Sequence, residues 1–369
     1  VTTIDTDVLK SLAGPVLSAT SNEFSTRNGC IRIVASGDSF VLEGGTFDTR
    51  VKASAANREG GNLNALVAKD TLVKFLSVID SKFVTLVSDG NDLVVKSGSA
   101  EWRFPTYQYD HGIGILPLSG DNVTSVSIEA QWLGAALGAA LPIADRTHEV
   151  LSGVLVEVSG CDAAGACVVH IVATDGRRMA VTTGVGIQAS CPFKVVFPMR
   201  VIPLITSAIK RSVLMNALVS SNGNSVLLEM GEYLFSFAAL GGRYPAWQNV
   251  MAGVKSNSDA RLECKDAMRL AKLSSLCSDV ESHAIELSVS DGKLSAVGKS
   301  EGAGKSSAHA SAETRGDASE AVDGKYLRDA LASVSAEDMV SIEFGDAGMP
   351  MAIRTEKGYC AVIMPVKKS

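Results

Sequence analysis

The sequence is short of several things, and each shortage removes a class of chemistry. Its seven cysteines include no C-x-x-C pair and its five histidines are dispersed, so no metal-ligand cluster is expected. Scattered thiols in odd number fit the reducing cytoplasm better than a disulfide framework. No apolar run approaches the ~18 residues needed to cross a bilayer, so the chain is expected to be soluble, with no membrane partner. The stretch Val1 to Lys10 lacks the basic-then-apolar order of a secretory signal. Positive charge is not in excess either: 34 Lys and Arg stand against 40 Asp and Glu, a net charge of -6. A simple nucleic-acid binder would be clearly basic.

Catalytic patterns are missing as well. Gly304-Lys305-Ser306 resembles the end of a phosphate loop, but that pattern needs Gly where Lys299 stands, and Gly298 is one residue out. A hairpin turn explains it better. Ser39 after Gly37-Asp38, with Asp145-Arg146-Thr147-His148 far downstream, imitates the blocks of a hydrolase. A serine nucleophile needs a base and an oxyanion hole converging on it, and the first block recurs as Asp291-Gly292 without Ser. No paired carboxylates, no H-x-x-x-H and no G-x-G-x-x-G occur in a convincing setting. The expectation is a non-enzyme without cofactor or metal.

What is present is repetition. One order of elements recurs three times at a spacing of roughly 125 to 130 residues, a period that means duplicated domains. Each copy has an apolar-striped helix, a hairpin turning on Gly or Asp, a polar strand, a second helix and a closing strand pair. The helices are expected at Val8 to Ala19, Lys69 to Ile79, Trp132 to Leu141, Val201 to Ile209, Asp266 to Cys277 and Tyr326 to Val334. Pro203 sets the fourth helix to begin near Ile202, with Arg200 in the preceding loop. Strands such as Ile285 to Val289 alternate with period two, the mark of sheets with one wet face. The fold class is therefore α+β, in domains 1–120, 121–252 and 253–369, joined at Leu116 to Asn122 and Met251 to Asp259. Linkers this short favour domains locked edge to edge. The Gly-, Ser- and Ala-rich stretch from Lys299 to Ala318 is expected to be a hairpin or a strand pair.

The charge is unevenly distributed. The repeated helices and their approaches carry Lys10, Lys69, Lys74, Arg200, Lys210, Arg211, Lys265, Arg269, Lys272, Lys325 and Arg328, whereas acidic residues such as Asp89, Asp92, Glu101, Glu229 and Glu343 fall on strands and loops. Cationic helices on an acidic body would draw a phosphate backbone to one surface. Solvated helix faces are the competing explanation.

The most distinctive string, Val172-Ala173-Thr174-Asp175-Gly176-Arg177-Arg178-Met179-Ala180, resembles the A-T-D-G-[HR]-R-[LM]-A stretch of the bacterial sliding clamp family, the β subunit of DNA polymerase III. Gly242-Arg243-Tyr244-Pro245, Leu151-Ser152-Gly153-Val154 and Val362-Ile363-Met364-Pro365-Val366 match further family strings in the proper order. The resemblance covers the whole chain. It implies three tandem DNA-clamp domains, each with two helices against antiparallel sheets, and a head-to-tail homodimer forming a six-domain ring around duplex DNA. It also implies a groove that docks short motifs with Gln, Leu and Phe anchors from the replicative polymerase, the clamp loader and repair proteins.

Carried over by residue, the resemblance implies a groove of Leu151, Thr174, Gly176, Arg177, Arg178, Met179, Pro245, Val250, Tyr326, Pro350, Met351, Val362, Met364, Pro365 and Val366. DNA contacts would come from the helix cations named above, with Arg27 in the loop after the first helix. The chain departs from the family pattern in three places: Arg177 stands where many relatives have His, Lys367-Lys368-Ser369 replaces the usual ending, and the loop holding Arg27 lacks a clear counterpart. The alternative is a scaffold of the same fold that does not close into a ring.

Overall fold

The computed structural model describes residues 1–22, 29–57, 60–108, 114–120, 122–211 and 215–366. Arg27 lies outside the described residues. Among those described, one order recurs six times: a strand, a helix and three strands. The first pass is β1 (Thr2–Asp5), α1 (Thr6–Ala19), β2 (Cys30–Ser36), β3 (Ser39–Gly45) and β4 (Thr49–Ala56). The second is β5 (Leu63–Ala68), α2 (Lys69–Val78), β6 (Phe83–Asp89), β7 (Asp92–Ser97) and β8 (Ala100–Pro105). The third and fourth are β9 (Thr124–Glu129), α3 (Ala130–Ala140), β10 (Gly153–Ser159), β11 (Cys167–Thr174), β12 (Arg178–Ile187), then β13 (Phe193–Pro198), α4 (Ile202–Arg211), β14 (Asn216–Ser221), β15 (Ser225–Met230) and β16 (Tyr233–Ala238). A short helix, α5 (Trp247–Gly253), follows. The fifth is β17 (Ser258–Glu263), α6 (Cys264–Ser274), β18 (Ala284–Ser290), β19 (Lys293–Ser300) and β20 (Gly304–Ser311), with the short β21 (Glu313–Arg315) after it. The sixth is β22 (Ala318–Asp323), α7 (Gly324–Leu331), β23 (Met339–Phe344), β24 (Met351–Thr355) and β25 (Tyr359–Ile363).

The helices lie where periodicity put them, and α4 begins at Ile202. Two features differ from the expected order. A short strand runs straight into the first helix of each copy as well as preceding the second, and each closing group has three strands rather than two. Four to six residues without a turn before the helix give period two too little length to register. Local chemistry fixes some helix starts. The Asp5 carboxylate accepts from the N–H groups of Asp7 at 3.0 Å and Val8 at 3.4 Å, and Asp323 accepts from Lys325 at 2.7 Å and Tyr326 at 3.3 Å. Each cap satisfies amide donors left unpaired at a helix N-terminus.

The described chain forms two compact units, one of Val1–Gly134, Gly160–Cys167 and Gly186–Ala239, the other of Ala135–Ser159, Val168–Val185 and Leu240–Ser369. In the first unit an antiparallel run follows the order β5, β2, β3, β4, β16, β15, β14, β9, and a separate sheet follows β1, β6, β7, β8. The β4–β16 pairing sets Ala53 opposite Tyr233 and Val51 opposite Phe235, all four buried. Helix α1 packs on β3, β4 and α4. Phe197 meets Phe237 edge to face at 4.9 Å between ring centres. Each such side chain withdrawn from water contributes about 1.5–3 kcal/mol.

The second unit repeats the plan. Strands β17, β23, β24, β25 and β12 pair antiparallel in that order, and a sheet of β20, β19, β18, β22 stands beside them in sequence. Here β12 pairs with β25 as β4 pairs with β16, the third strand of one pass joined to the third strand of another. The Gly-, Ser- and Ala-rich stretch folds as the β19–β20 hairpin, and Gly304-Lys305-Ser306 begins β20, with Lys305 opposite Lys299. It is extended backbone and not a loop leading into a helix.

Candidate functional site

The turn between β11 and β12 shows how sequence builds the site. Asp175 Oδ1 accepts from the amides of Arg177 at 3.0 Å and Arg178 at 2.9 Å, while Thr174 Oγ1 donates to the Arg178 carbonyl at 2.7 Å and accepts from Gly176 N at 3.1 Å. Gly176 has φ +83°, a backbone conformation that a side chain would strain. The Thr-Asp-Gly order thus folds the turn on itself and delivers Arg177, Arg178 and Met179 to one place. Met179 pairs with Val362 across β12 and β25, and Met364 N donates to Arg177 O at 2.9 Å.

Arg178 is the buried hub of this region. Its Nε donates to Asp175 at 2.9 Å, Nη1 to Asp329 at 2.7 Å and Nη2 to the Pro142 carbonyl at 2.9 Å, and the guanidinium stacks 4.3 Å from the centre of the Tyr326 ring. Burial works against its charge, but the bonds to Asp329 and Asp175 outweigh it and raise the pKa above the usual arginine value.

Around this turn lies a cavity of about 170 Å³ lined by Leu151, Thr174, Gly176, Arg177, Arg178, Met179, Pro245, Trp247, Val250, Val362 and Met364. Ten of these are residues named from sequence. Val250 and Met364 are 41% and 42% exposed, an apolar rim open to solvent. Of the other named residues, Tyr326 lies under Arg178, and Met351 is buried in β24 opposite Ile363, where it lines a different cavity of about 220 Å³ with Phe344 and Met349. Pro350, Pro365 and Val366 are not on the wall of the first cavity; Val366 N donates to Ala321 O at 2.9 Å. Trp247 lines the cavity without belonging to any matching string, and its signal in the sequence is a tryptophan two residues past Pro245.

The cations named for DNA divide into two groups. Lys10 Nζ donates to the carbonyl of Ile79 at the end of α2 at 2.8 Å, and Lys69 Nζ donates to the carbonyl of Thr20 at the end of α1 at 2.7 Å. Each lysine caps the other helix, neutralising its C-terminal dipole. Burial lowers the Lys69 pKa, opposed by Asp70. Arg200 pairs with Asp48 and Lys265 with Glu263, and Arg328 Nε bonds the Gly324 carbonyl at 3.3 Å. The Arg211 guanidinium lies against Gly14, where a Cβ would come within 2.8 Å of Cζ. Lys74, Lys210, Arg269, Lys272 and Lys325 are exposed and make no ion pair among the described residues. Lys265, Arg269 and Lys272 also edge a cavity of about 560 Å³ floored by Met268, Leu331 and Val334.

The hydrolase imitation dissolves into local structure. Ser39 opens β3 opposite Ser36 and Ala56, and His148 Nδ1 is held by Asp145 at 2.5 Å and Thr147 at 3.1 Å. Among the described residues no group of three His, Cys, Asp or Glu could hold a metal ion, and no helix is long and apolar enough to cross a membrane.

No protein-family model and no curated protein matches the sequence. Solved structures do match in fold. The DNA polymerase III β subunit of Thermotoga maritima superposes with TM-score 0.87 at 18% identity, covering 100% of this chain and 99% of that one. The β subunit of Pseudomonas aeruginosa gives 0.87 at 17%, with 100% of both chains covered. The Helicobacter pylori β clamp bound to a DNA ligase peptide gives 0.84 at 16%, again over 100% of both. Along its whole length the chain has the fold of the bacterial DNA polymerase III β subunit, the sliding clamp.

Proposed function

We propose that the chain is a DNA sliding clamp, a non-catalytic cytoplasmic ring of two copies that encircles duplex DNA and tethers the replicative polymerase. Its three modules are residues 1–120, 121–252 and 253–369. The observation that carries the reading is the full-length fold together with its repeated joint. The third strand of an odd pass pairs with the third strand of an even one, β4 with β16 and β12 with β25. Among the described residues two strands of this kind remain as sheet edges, β8 and β20. A second copy supplies the missing partner for each, and a heterologous contact made twice closes a ring.

The hairpin registers carry the joint to this third case. Ala100, Trp102 and Phe104 of β8 correspond to Tyr233, Phe235 and Phe237 of β16, and Ala308, Ser306 and Gly304 of β20 to Ala53, Val51 and Thr49 of β4. Ala100 would then face Ala308 of the second copy, and Trp102 would face Ser306. Helix α1 packs on α4 at the β4–β16 joint, so α6 would pack on α2 of the second copy. Exposed Leu276, just after α6, and Val78, at the end of α2, are 73% and 64% accessible and would gain cover there. Cationic helices around the hole would hold phosphates through long-range, salt-sensitive attraction without reading bases. Such a ring slides, and topology prevents its loss.

The cavity beside Gly176 to Met179 is the docking groove for polymerase, clamp-loader and repair-protein motifs. An apolar trough with an adaptable methionine rim suits Leu and Phe anchors. The Helicobacter pylori clamp bound to a ligase peptide supports this. A solution mass of twice the 38.5 kDa chain is expected, shifting to a single chain in Leu276→Asp. Single chains at high concentration in the unsubstituted protein would overturn closure.

A further inference from the structure

The α5 wall of the groove is held from beneath by a residue with no role so far. Glu157, on β10, is 5% exposed. Its carboxyl accepts from Trp247 Nε1 at 2.8 Å and from Gln248 Nε2 at 3.1 and 3.3 Å. Trp247 and Gln248 are the first two residues of α5, which has seven residues and no side-chain cap at its N-terminus. So short a helix does not hold its own conformation. Tertiary contacts fix it: the two donors gripped by Glu157, and the His170 ring tilted against the indole at 4.9 Å between centres. His170 is held in turn by Thr183 at 3.1 Å. Val250, one turn along α5, lines the groove with Trp247.

We propose that Trp247 is a specificity-determining contact for the aromatic anchor of a docked peptide, and that Glu157 is the positioning residue that sets the α5 wall through Trp247 and Gln248. The proposal rests on the docking-groove reading above. Trp247 is 8% exposed yet lines the groove, and so small a contact area suits a second aromatic ring approaching in T-shaped geometry. Without its acceptor the buried Nε1–H is unsatisfied, and the indole turns to find another partner. The wall then adopts several positions, and binding must pay to select one.

The test uses the full chain and a fluorescein-labelled peptide carrying Gln, Leu and Phe anchors. Glu157→Leu and Trp247→Phe are expected to weaken binding about tenfold, the scale of one lost hydrogen bond to a charged group. The exchange Glu157→Gln with Gln248→Glu, which keeps an acceptor for the indole and restores the donor–acceptor pair, is expected to recover most of the affinity. A role in bulk packing alone would not respond to that exchange. Independently of any substitution in the groove, Trp247 emission, read in a Trp102→Phe, Trp132→Phe background, should change on adding the unlabelled peptide. If the peptide binds the unsubstituted chain and is lost in Met364→Ala, yet Glu157→Leu and Trp247→Phe bind normally or the emission stays fixed, the proposal is overturned and the groove stands. A peptide that does not bind the unsubstituted chain overturns both.

Discussion

The hydroxyl of Tyr233 donates to the carbonyl of Ser11 at 3.0 Å, the helix carbonyl that Pro15, lacking an N–H, leaves without its usual donor. A proline inside α1 is thereby tolerated because a strand residue far along the chain completes the helix. Burial raises the Tyr233 pKa, consistent with a phenol kept as a donor.

Tyr233→Phe should therefore cost about 1–3 kcal/mol in urea unfolding, the cost of an unsatisfied buried carbonyl. In a Pro15→Ala background the helix supplies its own N–H, and the cost of Tyr233→Phe should shrink. Equal costs in both backgrounds would remove the coupling.

Arg178 is expected to be far less replaceable. Arg178→Met leaves Asp175 and Asp329 without their shared cation, and urea unfolding should register a loss of about 3–5 kcal/mol, the scale for one partner removed from a buried pair. Arg178→Lys should recover little, since an ammonium cannot make three divergent bonds and stack on Tyr326 at once.

The two groups of helix cations should behave differently. Charge reversal at Lys74, Lys210, Arg269 or Lys272 should weaken DNA retention and flatten its dependence on salt by about one phosphate contact each. Lys10→Met and Lys69→Met should instead lower Tm, because they uncap α2 and α1. The check is thermal melting beside salt titration of the same variants.

Burial pushes the Cys360 thiol up to about 11 from its usual 9.0. Above pH 9 the unfolded chain gives up this proton while the folded chain keeps it, so stability should fall as pH rises from about 9 towards 11. Cys360→Ala should remove that part of the slope. In the native protein at pH 8 a thiol reagent should label the exposed Cys191 and spare Cys360.

Much of this was legible in the sequence where the chemistry is local. Thr174 to Arg178 carries its own turn instructions, so the turn that borders the cavity is readable locally, and the helices follow from apolar spacing with Pro203 marking one start. What escaped depends on contacts distant in sequence. Nothing local says that Lys10 will cap α2, that Tyr233 will serve Ser11, or that Glu157 will hold Trp247 from 90 residues away. Pro350, Met351, Pro365 and Val366 come from the family resemblance alone, and nothing in their local sequence says which of them borders the cavity beside Gly176.

Encirclement is tested most directly by retention on DNA of defined topology. After loading onto a nicked circle, the protein should stay bound through a high-salt wash and leave when a restriction enzyme linearises the circle, with end-blocked linear DNA retaining it. Release from the intact circle at the same rate as from open linear DNA would contradict the account.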